Sequence, residues 1–205
     1  MYLEKPKIAV VILAAGEAKR FGSPKQLAEW FGEPLLLALV RKVELCGYIP
    51  YLALGAHRDL IVQQAGLEGY KEHIIIVKDW ASGLSASIKA AVTLLSEREC
   101  QGIVFLLADQ PMITADYLKR LCSEAERMPN KLIATAYDHQ GRERGVPAYF
   151  PVGYFQYLNA LQKEQGAKKI LLSENTVVLQ HDNSLMDIDE PEDLVRARKL
   201  YEKGC

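Results

Sequence analysis

Cysteine is scarce in this 205-residue chain: Cys46, Cys100, Cys122 and Cys205 are widely scattered and form no Cys-x-x-Cys pair. His57, His73, His139 and His181 stand at no metal-ligand spacing from them or from one another. This argues against structural zinc, an iron–sulfur cluster and a disulfide framework, and makes the reducing cytoplasm the expected compartment. Long apolar runs are missing too. The longest spans residues 8–15, far short of the ~20 that a membrane helix requires. It falls in the length range of a signal-peptide core, but Glu4 interrupts the positive start, and cleavage after the alanines would remove a central strand. Neither sign of charge dominates, with 25 Lys plus Arg against 26 Asp plus Glu and a net charge of −1. That balance excludes a nucleic-acid coat protein and a polybasic membrane-surface protein, so any basic patch is local. No repeat and no low-complexity stretch is present, which removes a solenoid or a disordered tail.

What is there is an ordinary globular mixture, 49% hydrophobic and 25% charged. A chain this long buries roughly 70% of its unfolded surface and needs no covalent or metal staple. One domain over 1–205 is the expectation. Residues 8–14, Ile-Ala-Val-Val-Ile-Leu-Ala, read as a strand buried on both faces, because they are apolar without alternation. Residues 34–46 read as a helix, with Leu36, Leu39, Val40 and Val43 at core spacing and Gly47 as its stop. Further strands are predicted at 51–55, 74–77, 103–107 and 132–137, with helices at 58–65, 85–96 and 114–128. Residues 141–147 read as a charged, glycine-punctuated loop before a short strand at 148–150 that pairs antiparallel. Strand–helix alternation with right-handed crossovers gives an α/β fold: a Rossmann-like, doubly wound, mostly parallel sheet with a short antiparallel extension. In such sheets ligands bind beyond the C-terminal ends of the strands, so the informative residues should follow strands.

Directly after the first strand come Leu13, Ala14, Ala15 and Gly16, then Arg20, Phe21 and Gly22, then Pro24, Lys25, Gln26 and Leu27. Small residues at 14–16 let backbone N–H groups approach a ligand closely, and Gly22 permits a tight turn. Arg20 and Lys25 add two permanent charges. A triphosphate needs this combination, amide donors for its oxygens and cations for its charge. A solvated, charged turn is the plainer reading of the same residues. The loop is neither a Gly-x-x-x-x-Gly-Lys-Ser/Thr nor a Gly-x-Gly-x-x-Gly motif, which sets aside a plain dinucleotide-binding protein.

The order Leu-Ala-Ala-Gly, Arg-Phe-Gly, Pro-Lys-Gln-Leu resembles the MobA-like nucleotidyltransferases of molybdenum-cofactor synthesis. The cytidylyltransferases and the accessory proteins of xanthine dehydrogenase maturation are the most similar group. Residues 80–88, Ala108-Asp109-Gln110-Pro111, Gly145-Val146-Pro147 and the Asp187-Ile188-Asp189-Glu190-Pro191-Glu192-Asp193 run match that family in order and extend the likeness over most of the chain. The resemblance implies a nucleotide-diphospho-sugar transferase-like fold. It also implies transfer of CMP from CTP to the phosphate of a molybdopterin-type cofactor, with release of pyrophosphate, for a molybdenum hydroxylase such as xanthine dehydrogenase. An apo molybdenum hydroxylase is then a candidate partner.

Asp109 follows a strand at the ligand-binding edge, where Pro111 prevents regular continuation. It suits a Mg²⁺ that takes one or two carboxylates and keeps several waters, or it is a turn aspartate. The resemblance favours Asp189 over Asp187 as the second ligand, although Asp189 and Glu192 also have the spacing of a helix N-cap and its capping-box partner. By resemblance, Gly83, Leu84 and Ser85 contribute to the nucleotide pocket, while Ser85 alone reads equally as an N-cap. Arg142 and Arg144 flank the later loop and suit either an anionic acceptor or solvent. Val146 stands where the cytidylyltransferases commonly carry His, so no acceptor role carries over to it.

Three rivals remain open from sequence: another phosphorylated acceptor, GTP as donor, and a non-catalytic carrier of the cofactor. The Leu-Ala-Ala-Gly loop speaks against GTP, since the guanylyltransferases usually carry Leu-Ala-Gly-Gly.

Overall fold

The computed structural model describes residues 7–163, 166–181 and 186–204; Glu4 and Cys205 lie outside them. The expected first strand is β1 (Ile8–Leu13), and every residue in it is buried. Ile8, Val10, Ile12 and Ala14 point into one core, whereas Ala9, Val11, Leu13 and Ala15 point into a second. Two opposite faces both covered by protein explain why the run is apolar without alternation.

A small hairpin follows, β2 (Glu29–Trp30) and β3 (Glu33–Pro34), and then α1 (Leu35–Leu45). The hairpin turns through Phe31 and Gly32, both at positive φ, the geometry of a two-residue turn of the primed type. Next come β4 (Tyr51–Leu54), α2 (Arg58–Gln64), β5 (Ile74–Ile76), α3 (Leu84–Glu97), β6 (Gly102–Leu107) and α4 (Ala115–Arg127). Thr114 caps α4, its side chain accepting from the Tyr117 N–H, as an N-cap threonine does. The remainder is β7 (Ile133–Ala136), β8 (Arg144–Pro151), α5 (Phe155–Asn159), α6 (Lys168–Leu171), β9 (Val177–Gln180) and α7 (Pro191–Gly204). Among the described residues, no helix is long and apolar enough to cross a membrane.

The main sheet runs β5-β4-β1-β6-β8-β7-β9. Only β8 opposes the rest, pairing antiparallel with β6 on one side and β7 on the other. α1, α2 and α4 cover one face through Leu36, Leu39, Ile61, Leu118 and Leu121, and α3, α5 and α6 cover the other through Ile88, Val92, Leu95, Phe155, Leu158 and Leu171. The doubly wound, mostly parallel sheet is as expected.

Two expectations need correction at the antiparallel edge. Residues 144–147 are strand rather than loop, because β8 starts at Arg144 and pairs with β7 across a register shift at Ala134/Thr135. Gly145 makes this possible: a Cβ there would lie 2.3 Å from the Tyr137 ring. Charge and glycine in this stretch read as a loop, yet they serve a close strand crossing. β9 escaped prediction altogether, since four residues whose partner lies at Ile133–Ala136 carry little local signal.

The register sets the position of the site. Leu13 lies opposite both Ala53 and Leu107, so β1, β4 and β6 end level and their following loops emerge together. Gly55, just after β4, is squeezed at this edge: an added Cβ would fall 2.4 Å from the Trp80 Cβ and 2.9 Å from the Ala15 carbonyl oxygen. Neither neighbour is the free end of a flexible chain. Gly55→Ala is therefore expected to destabilise the fold by about 1–3 kcal/mol through overpacking. Gly69→Ala, where a Cβ meets nothing within 4 Å, serves as the matched control. Urea unfolding of the two variants checks this, and equal midpoints would refute the close approach.

Candidate active site

The loop after β1 is held from three sides. The Ala14 N–H donates to Ala53 O at 2.9 Å, the Ala56 N–H to Ala15 O at 3.0 Å, and the Ala108 N–H to Leu13 O at 3.1 Å. From below, the Gln26 Nε2 donates to Ala14 O at 2.8 Å and to Gly16 O at 3.1 Å. Gln26 is 2% exposed, and a buried amide in that position fixes the loop's carbonyls inward. Among the described residues, the N–H groups of Ala15, Gly16 and Glu17 make no backbone hydrogen bond. A Cβ on Gly16 would meet no atom of the protein, so its open side faces the cleft. Gly22 ends the loop's helical turn at φ +78°, where a side chain would be strained.

Beyond this loop lies a cleft of about 570 Å³, a size typical of small-molecule sites. Leu13, Ala14, Ala15, Gly16, Arg20, Lys25, Gly83, Leu84, Asp109 and Asp189 all line it. The structure thus brings together residues up to 176 positions apart (13 to 189). Ser85 is the exception. It sits in the first turn of α3, 3% exposed, and opens onto a separate hollow with Lys78, Lys89 and Lys163. Nor is it the cap, because Gly83, at φ +92°, holds that position. The hydroxyl that reaches the cleft is on Ser87, two residues later.

Charge concentrates at one end of the cleft. The Lys25 Nζ lies 2.7 Å from Asp109 Oδ2 and 3.5 Å from Asp189 Oδ1, and it donates to Ile188 O at 2.9 Å. The Arg20 Nη2 lies 2.9 Å from Asp189 Oδ2. The Lys25 and Asp109 side chains are 17% and 20% exposed, whereas Arg20 is 68% exposed. The Lys25–Asp109 pair is therefore the one shielded from water, and the Arg20 contact is screened and weak. Burial pushes the Asp109 carboxyl above its ordinary range; Lys25 opposes that shift and the nearby Asp187 adds to it.

Among the described residues, Asp109 Oδ1 has no hydrogen-bond partner. Its lone pairs, with Asp189 sharing Lys25 in the same cleft, fit a hard divalent cation, which prefers carboxylate and water oxygens. Among the described residues no group of three or more His, Cys, Asp or Glu could hold a metal, so water or phosphate oxygens would complete such a shell.

The capping alternative for Asp189 is not what forms. Asp193 Oδ2 accepts from the N–H groups of Asp189 at 3.1 Å and Glu190 at 3.0 Å, the reach-back half of a capping box. Those two donors hold the Asp193 carboxyl below its ordinary range. Asp189 is left to face the cleft. Arg142 and Arg144 stand outside it. Arg144 donates to the carbonyls of Gly141, Leu171 and Ser173, so it is a structural tie, and Arg142 is exposed, 3.6 Å from Asp138. Sequence reasoning missed Gln26, Ser87 and Gln110. Gln26 and Gln110 were visible only as polar residues inside otherwise matched motifs.

Residues 10–180 match the MobA-like NTP transferase domain family. The purine catabolism protein PucB of Bacillus subtilis (strain 168) is 30% identical, over 95% of this chain and 98% of its own. A molybdenum cofactor guanylyltransferase of Rhodobacter capsulatus is 25% identical, over 93% and 95%. Rv0371c of Mycobacterium tuberculosis H37Rv, solved in complex with manganese, is similar with a TM-score of 0.77 at 25% identity, over 94% of this chain and 98% of that one. With the match covering most of the sheet and the whole cleft loop, the chain belongs to the MobA-like NTP transferase family and is a nucleotidyltransferase of nucleotide-diphospho-sugar transferase fold.

Proposed function

We propose that the chain, acting as one domain over 1–205 in the cytoplasm, transfers CMP from CTP to the phosphate of a molybdopterin-type cofactor and releases pyrophosphate. The product then serves a molybdenum hydroxylase such as xanthine dehydrogenase, whose apo form is the expected partner. The observation that carries this reading is the meeting of two cations and two carboxylates beside a loop of unbonded N–H groups. The purine catabolism relative supports the physiological setting, since xanthine dehydrogenase oxidises purines.

In the reaction, an oxygen of the acceptor phosphate forms a bond to the α-phosphorus of the nucleotide. The bond from that phosphorus to the bridging oxygen breaks, and the electron pair leaves with pyrophosphate. No protein nucleophile takes part, so catalysis is positioning and charge stabilisation. The N–H groups of Ala15 and Gly16 donate to phosphate oxygens, and the small side chains of this loop admit the backbone to the ligand. Arg20 and Lys25 neutralise charge on the transferred and leaving phosphates. Gly83, Leu84 and Ser87, with Trp80, form the wall that receives base and ribose, and Ser85 acts through α3 rather than by contact. Asp109 and Asp189 are the residues to hold Mg²⁺, which when bound supplies charge neutralisation to the phosphates. The manganese complex of the mycobacterial relative supports a divalent cation in this fold. Because Lys25 and Arg20 face these same carboxylates in the structure, they exchange carboxylate partners for phosphate when the nucleotide and its metal enter.

A second reading uses GTP, and the Rhodobacter guanylyltransferase favours it. Ala15 favours CTP by resemblance, since the guanylyltransferases usually have glycine at that place in the loop. CTP with Mg²⁺ is expected to bind more tightly than GTP, since a base-edge pocket discriminates through hydrogen bonds that the wrong base leaves unpaired. Titration calorimetry with both nucleotides measures this, and equal or tighter GTP binding would transfer the assignment to GTP.

The metal pair is tested by Asp109→Asn, Asp189→Asn and the double variant, assayed for pyrophosphate release across a Mg²⁺ titration. Each single change is expected to lower the rate on the order of a hundredfold, which is about 2.7 kcal/mol of transition-state stabilisation. The double variant should lose little more, because ligands of one ion act as a unit. Additive losses, or a normal rate for Asp189→Asn, would remove Asp189 from the site.

A further inference from the structure

Gln110 follows the cleft-lining Asp109 in the chain and is 3% exposed. Its Nε2 donates to Asp187 Oδ1 at 2.9 Å and to the Tyr137 hydroxyl at 3.2 Å. Tyr137 in turn donates to the Val146 carbonyl. The ring of Tyr137 lies against Gly145 so closely that no Cβ fits there, which lets the hydroxyl dock on β8. Gln110 Oε1 is buried and, among the described residues, has no partner. The side chain is thus held by its donor end alone, and that end points at the segment carrying Asp189.

That segment touches the end of β6 at successive residues. Asp187 is held by Gln110. The Ile188 N–H donates to Asp109 O at 2.9 Å, and the Ile188 side chain is fully buried. Among the described residues, the Asp189 carboxylate pairs with the exposed Arg20 and the shared Lys25, contacts too weak or too divided to set its position alone. Its place is fixed by its neighbours: the Asp193 cap toward α7, the buried Ile188 with its N–H on Asp109 and its carbonyl on Lys25, and the Gln110–Asp187 bond toward the preceding loop.

We propose that Gln110 is a positioning residue: by clamping Asp187 it holds Asp189 beside Asp109 and so sets the affinity for the divalent cation without touching it. The proposal rests on the reading of Asp109 and Asp189 as the metal pair. Partners one shell removed from a metal typically change affinity or activity 10–100-fold, and the clamp acts over one intervening residue.

Gln110→Glu keeps the shape but sets a carboxylate against Asp187, removing the donor and adding like-charge repulsion. Combining it with Asp187→Asn lets the new amide donate to the new carboxylate, which restores the bond with its polarity reversed. Two readouts are taken on the full chain without nucleotide: Mn²⁺ binding by paramagnetic resonance, and hydrogen exchange at the Ile188 amide. Gln110→Glu is expected to weaken Mn²⁺ binding about 10–100-fold and to speed Ile188 exchange, and the double variant to recover most of both. Unchanged Mn²⁺ affinity in Gln110→Glu overturns the proposal. So does a double variant as weak as the single one, the result expected if Asp187 itself bound the ion. Should the wild type bind no Mn²⁺, the metal reading fails, and exchange at Ile188 still decides the clamp: faster in Gln110→Glu and rescued by Asp187→Asn supports it, unchanged refutes it.

Discussion

The pairing of β1 between β4 and β6 is the constraint on which the rest depends. Six consecutive residues without a polar side chain have no stable place except at the centre of a sheet covered on both faces. Once β1 is central, parallel neighbours require crossover helices, and the right-handed rule distributes these helices over both faces. The level ends of β1, β4 and β6 follow from the register, and three loops then converge at one edge. Leu13 is opposite its partners on both sides, so the cleft opens where β1 ends.

At that edge the protein stores charge in a compact, opposed form. The Asp109 carboxylate is repelled by the nearby Asp187, and burial disfavours its charge further. Lys25 answers this by contacting Asp109 while remaining within reach of Asp189. A half-buried pair of this kind adds little net stability, because desolvation offsets the attraction. Its significance is functional: the groups are already gathered and oriented before any ligand arrives, and the loop donors beside them are held by Gln26.

Much of this was legible before the structure. The apolar run of β1, the core spacing of α1 and the threonine before α4 each carry a local physical signal, and the elements appear within a residue or two of the expected ends. The antiparallel edge did not, because Arg144 and Gly145 read as loop residues while their role is to pass closely under Tyr137. In the cleft, the small residues and the two cations were visible as types. Whether Ser85 or Ser87 faces the cleft was not, since helical phase at a glycine-capped start depends on backbone angles at Gly83.

The sequence by itself determined the class of fold, the family and most of the groups that line the cleft, because hydrophobic pattern and loop composition are local properties of the chain. Only the tertiary structure decided which groups face one another. Asp189 faces the cleft rather than capping α7 because the helix starts at Pro191, which puts Glu190 in the cap position. Arg144 is tied to carbonyls of α6 and its following turn, away from any acceptor. Gln110, silent in sequence, joins the two carboxylate-bearing segments. The longer of these partnerships span 27 to 77 residues, and their geometry comes from the packing of whole elements, which no local pattern encodes.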